Sequence, residues 1–163
     1  MALDAPYTAA SQAADKAEIQ ELIALYCDGV TRRDWAQVAS VFAADAMWEI
    51  VGSDFRFQGD KIAAGIQSLV TPSRFLIQMV SSTIIEVRGD TATARTTIHE
   101  ATEFPAGAFK PFKTRISSYG IYEDQIKKVG GHWKFAARRF NMIDNHVINA
   151  EGGEESIIKG THG

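Results

Sequence analysis

Apolar residues recur at helical spacing from Asp15 onward: Ile19, Leu22, Ile23, Tyr26 and Val30 form one stripe of a first helix. Asp15 with Glu18 three residues later reads as its capping pair, and the small polar residues before it as a frayed end. Asp34 is placed to cap a second helix, with Trp35, Val38, Val41 and Phe42 inward and an end near Ala44. A small hairpin follows, Ala46 to Val51 and Phe55 to Gln58 around Gly52-Ser53-Asp54, and then a third helix from Asp60 to Leu69.

After Pro72 the period changes to two. Phe75 to Val87 reads as one long strand, bulged near Ser81-Ser82, and Thr91 to Phe104 as the next. A Pro/Gly loop leads to a strand from Lys113 to about Lys128, and Gly130-Gly131 turns into a last one from His132 to about Met142. Helices first and long antiparallel strands later predict an α+β fold. Strands of a dozen residues exceed the usual length and must twist and bend, so a curved sheet closed by helices encloses an interior.

On the strand Thr91 to Phe104, one face carries Ala92, Ala94, Thr96, Ile98, Glu100, Thr102 and Phe104. This is the apolar face, and it brings one carboxylate, Glu100, toward the core. An ionised carboxylate there must be paired, hydrogen-bonded or raised in pKa, which makes Glu100 either a general acid or base or half of a structural ion pair. Trp133 and Phe135 are assigned to the outer face of the last strand, where a second copy could pack. Tyr26 shares the inward stripe of the first helix, so its hydroxyl points either into a cavity or to a backbone carbonyl.

The 163 residues and 45 % hydrophobic content suit a single domain with a proper core. A net charge of −3, with basic residues in pairs at most, argues against nucleic acid as a partner. One cysteine, Cys27, excludes an internal disulfide, and the four histidines show no metal-ligand spacing, so no metal is expected. No secretory leader or membrane-length apolar run is present, and the expected location is cytoplasmic.

The run EIQELIALYCDGVTRRDWAQVASVFAADAMWEI, with Phe-Ala-x-Asp-Ala-x-Trp-Glu from Phe42 to Glu49, and the closing GGHWKFAARRF resemble the SnoaL-like family. That family belongs to the nuclear transport factor 2-like (cystatin-like cone) superfamily. The resemblance implies a single cone domain over 15–145, a strongly curved mixed, mainly antiparallel sheet wrapped on N-terminal helices. Residues 1–14 and 146–163 are then tails, flexible or packed on another subunit, and the chain is expected to be a homo-oligomer, a dimer or trimer.

Within the superfamily the chain looks most like cofactor-free lyases and isomerases, such as scytalone dehydratase and hexachlorocyclohexane dehydrochlorinase. There an Asp late in the first helix orients a His on the first long strand. Here those slots hold Thr31 and Gln78, neither of which takes a proton near neutral pH. The resemblance places Tyr26, Glu100 and Arg138 at functional pocket positions, so these are the catalytic candidates. Gln78, Thr31, Trp48 and Ile98 are the candidates for contacting substrate. The expected function is a small-molecule pocket acting by proton transfer on a cyclic, aromatic, polyketide-like or steroid-like molecule. The alternatives are a non-catalytic binding module or a small subunit of a ring-hydroxylating dioxygenase.

Overall fold

The computed structural model describes residues 8–151. Its first element, α1 (Ala9–Arg32), starts six residues before Asp15. Thr8 caps it, its hydroxyl accepting from Ser11 N at 3.1 Å. Asp15 is instead buried mid-helix, where it accepts from Trp133 Nε1 at 3.0 Å and pairs with Lys128 Nζ at 2.7 Å. The expected capping pair is therefore a tie between helix and sheet, and of the expected frayed end residues 8–14 are ordered, with 1–7 outside the described residues.

Asp34 does cap α2 (Trp35–Ser40), accepting from Gln37 N at 3.0 Å. This helix ends earlier than its apolar spacing implied. Phe42 to Ala44 already belong to β1 (Phe42–Ile50), because Phe42 pairs with Phe135 on the last strand. β2 (Arg56–Gln58) and α3 (Lys61–Val70) follow.

The remaining strands are β3 (Phe75–Arg88), β4 (Thr91–Phe104), β5 (Thr114–Val129) and β6 (His132–Asn149). They form one open, mixed sheet in the order β2-β1-β6-β5-β4-β3, in which, among the described residues, only β1 and β6 run parallel. The helices cover its concave face, and the whole is an α+β cone. β6 runs seven residues beyond Met142, because its far half still pairs with β5 as far as Asn149 with Thr114. The expected tail is thus ordered strand at 146–149, and residues 152–163 lie outside the described ones.

Bulges decide which side chains face the helices. The register of β3 on β4 shifts between Val80 and Ser82, so Leu76 and Gln78 point inward before it and Ile85 after it. A second shift, between Gln125 and Ile126 on β5 against β6, turns Phe135 and Trp133 inward. Both are buried in the core, and the expectation that they lie on the outer face is corrected.

One outward position is not solvated. Glu103 is only 1 % exposed, clamped by Arg74 Nη1 at 3.0 Å, Lys113 Nζ at 3.1 Å and Arg115 Nε at 2.8 Å. Burial alone would raise its pKa, but the three cations outweigh that and hold it at about 2. A depressed carboxylate pKa gives stability that is present above the unfolded value and lost as pH falls through the folded one. Glu103→Gln is therefore expected to lower unfolding free energy at pH 7 by about 1–3 kcal/mol, since the cations' heads are partly solvated. In urea titrations the gap between variant and native chain should close as pH falls from about 4 toward 2; a gap that stayed constant would refute the clamp's electrostatic role.

Candidate functional site

Between the concave sheet and helices α1 and α3 lies a cavity of about 260 Å³. Its walls are apolar: Val30 of α1, Ile66, Leu69 and Val70 of α3, Trp48 and Ile50 of β1, Leu76 of β3, and Phe140 and Met142 of β6. Phe55, Phe104 and Phe109 add aromatic surface, and Phe55 and Phe109 remain largely exposed. Such a lining with a few converging polar groups is what a small-molecule site needs.

The polar groups form one line along its floor. Trp48 Nε1 donates to Tyr26 Oη at 2.9 Å, and Tyr26 Oη lies 3.5 Å from Tyr122 Oη. Gln78 Nε2 donates both to Tyr122 Oη at 3.2 Å and to Glu100 Oε2 at 3.0 Å. Gln78 and Glu100 are direct cross-strand partners, so register alone brings amide and carboxyl together. Among the described residues the second carboxyl oxygen of Glu100 has no hydrogen bond, and Glu100 lines the cavity. Beside the line, Ser118 Oγ donates to Asn145 Oδ1 at 3.0 Å.

Trp48 Nε1–H and one Gln78 N–H already occupy the two tyrosine oxygens, and a contact between the hydroxyls uses one of their two protons. The other is free to donate to a ligand oxygen. Burial pushes the pKa of Tyr26 up to about 12, against the pull of Arg138, and holds Tyr122 well above the ordinary phenol value. Both are therefore neutral donors. Burial also raises Glu100, opposed by the Gln78 hydrogen bond, so its proton exchanges closer to neutrality than that of a solvated glutamate.

The model of the SnoaL-like domain matches residues 11–139. The chain belongs to the SnoaL-like domain family. No curated protein matches this SnoaL-like chain in sequence. Its cone resembles LinA-type3 hexachlorocyclohexane dehydrochlorinase from Novosphingobium barchaimii, with TM-score 0.75 and 20 % identity over 88 % of this chain and 97 % of that one. A scytalone dehydratase candidate from Novosphingobium aromaticivorans gives TM-score 0.74 at 19 % identity, covering 91 % of this chain and all of that one. A cystatin-like fold protein of unknown function from Nostoc punctiforme gives 0.63 at 20 % identity, covering 80 % and 92 %. At these identities the likeness concerns the fold.

Of the residues singled out in sequence, this SnoaL-like domain brings Tyr26, Trp48, Gln78 and Glu100 to the cavity wall. Three others stand back from it. Thr31, in the last turn of α1, accepts from the backbone N–H of Gln78 at 3.3 Å and so ties helix to strand. Ile98 is core packing one inward position along β4 from Glu100. Arg138 is fully buried, with Tyr26 and Tyr122 against its guanidinium, and does not line the cavity. Tyr122, Ser118, Asn145 and Asp124 were not anticipated. Alternation along β5 carries the signal for three of them, because Ser118, Tyr122 and Asp124 share a face with Ile116 and Ile126.

Elsewhere, His99 faces outward, 2.6 Å from Ser117 Oγ and stacked on Tyr119. Among the described residues no group of three or more His, Cys, Asp or Glu could hold a metal ion, and no helix is long and apolar enough to cross a membrane. Tyr26→Phe removes the acceptor of the buried Trp48 Nε1. It is expected to destabilise the chain by about 1–3 kcal/mol in urea unfolding, the penalty of an orphaned buried donor. An unchanged midpoint would mean that the tryptophan finds another acceptor.

Proposed function

We propose that this SnoaL-like domain is a cofactor-free lyase or isomerase that removes a proton from carbon next to a carbonyl in a small cyclic substrate. The observation that carries the reading is the Glu100–Gln78–Tyr122 line: a carboxyl with one free oxygen and a phenol donor, both within 3.2 Å of the same amide nitrogen. Ionised Glu100 takes the proton from the α carbon. A tyrosine hydroxyl, from Tyr122 or through it Tyr26, donates to the carbonyl oxygen and stabilises the enolate charge that develops there. The electron pair then expels a leaving group from the β carbon, an elimination, or recaptures the proton at another carbon, an isomerisation.

Gln78 carries no proton in this scheme. Its two N–H groups hold the base and the donor apart at a fixed spacing, which is the positioning such a reaction needs. The apolar walls fit the non-reacting rings of an aromatic, polyketide-like or steroid-like molecule, and the related dehydrochlorinase and the dehydratase candidate are lyases by name. The fold alone does not choose among reactions; the side chains of the site do.

The reading is tested without knowing the natural substrate. A panel of cyclic ketones and enones is first screened by thermal shift, since a ligand of the native state raises its melting temperature. Those that bind are then followed by NMR in heavy water. The native chain should speed exchange of the α protons, Glu100→Gln should lose about 10²-fold or more, and Tyr122→Phe should also slow exchange. The native rate should rise with pH through an ionisation above the ordinary glutamate value, because the carboxylate is the active form and burial raises its pKa. Ligands that bind native chain and Glu100→Gln alike with no exchange in either would leave a binding module.

A further inference from the structure

Directly beneath the polar line lies a charge that this chemistry does not use. The guanidinium carbon of Arg138 stands 3.9 Å from the centroid of the Tyr122 ring, 4.1 Å from that of Tyr26 and 4.4 Å from that of Phe135. Its Nε lies 3.6 Å from Asp124 Oδ1, on the neighbouring strand, and both residues are buried. Among the described residues none of the three guanidinium nitrogens and neither Asp124 oxygen has a hydrogen bond.

A buried ion pair without hydrogen bonds is a poor stabiliser. Its desolvation is large, and replacing such a pair by apolar side chains of similar size is often neutral or favourable. What the arrangement does supply is a cation against the faces of three rings, the geometry in which aromatic π density attracts it. Two of those rings carry the hydroxyls that line the cavity. Positive charge behind a phenol ring draws electron density from its oxygen and makes its O–H a stronger donor, and in a dry interior the field reaches the hydroxyl little screened.

We propose that Arg138 is a positioning residue that acts through the rings of Tyr26 and Tyr122 and makes the cavity prefer ligands with an anionic oxygen, a phenolate or an enolate, at those hydroxyls. The inference rests on the pocket reading above. It concerns what the tyrosines select, and Arg138 touches no ligand itself. The other charged or titratable groups facing it are Asp124, which opposes it from the Nε edge, the Cys27 thiol, which burial keeps protonated, and Glu100 beyond the tyrosines. Asp124 approaches the guanidinium at Nε, while the guanidinium carbon lies over the three rings.

The test uses 4-nitrophenol, which is coloured only as the phenolate, bound to the full chain and titrated with pH. On the native chain the bound probe should ionise at lower pH than the free one. Arg138→Met should move that ionisation back up by about one pH unit, about a tenfold loss of phenolate preference. Asp124→Asn, which keeps the cation and removes its counter-charge, should move it further down. The double variant Arg138→Met/Asp124→Leu should melt no lower than the native chain yet lose the preference, a pairing that a merely structural arginine would not produce. Should Arg138→Met fail to fold, the Asp124→Asn titration and the double variant decide. Probe that binds all variants with the same ionisation overturns the role of Arg138 alone. Probe that neither binds nor shifts the melting of the native chain overturns the pocket reading itself, and this inference with it.

Discussion

Side-chain direction on the four long strands governs everything else in the molecule. A strand alternates its faces with period two, so one inserted residue exchanges inside for outside over the rest of its length. The shift at Val80/Ser82 lets β3 offer Gln78 to the cavity and still bury Ile85. The shift at Gln125/Ile126 lets β6 bury Arg138 behind the tyrosines and still give Phe135 and Trp133 to the core under α1. Without these bulges, either the site or the core would face solvent.

That constraint brings polar groups into an apolar interior, and their mutual satisfaction then shapes the site. The apolar walls limit contact with bulk water, and Trp48, Tyr26, Tyr122, Gln78 and Glu100 bond to one another in sequence. The line leaves a hydroxyl proton, a carboxyl oxygen and the buried amide oxygen of Gln78 unmatched, and all three belong to residues of the cavity wall. These unmatched groups are the chemical content of the site. Thr31 serves it at one remove, by holding the end of α1 to the backbone of β3.

Two carboxylates show how environment divides roles. Glu103 has three cations and is held acidic, which stabilises the sheet where β3, β4 and β5 begin or end. Asp124 has one, at 3.6 Å with no hydrogen bond, and burial pushes its pKa up to about 6. The first is a stabilising clamp. The second is the unfavourable kind of buried charge, and it faces Arg138, the cation that stands against the tyrosines of the cavity.

The sequence by itself determined the element order, the long strands and the inward face of β4, because helical and strand periods are local properties of the chain. Glu100 stood out for that reason: period two along a single strand was enough to place it on the apolar face. The inward stripe of α1 brought attention to Tyr26 and the family pattern to Gln78, but their link through Tyr122 was not legible. Only the tertiary structure decided the outcome at Asp15, Glu103, Trp133, Phe135 and Arg138. In each case a distant segment, through a bulge, a cross-strand register or an ion pair, overrode what near neighbours imply. Tyr122 lies between these cases. Its face on β5 could be read locally, but its place between Tyr26 and Gln78 depends on β5 meeting β4 in one particular register, which only the folded sheet selects.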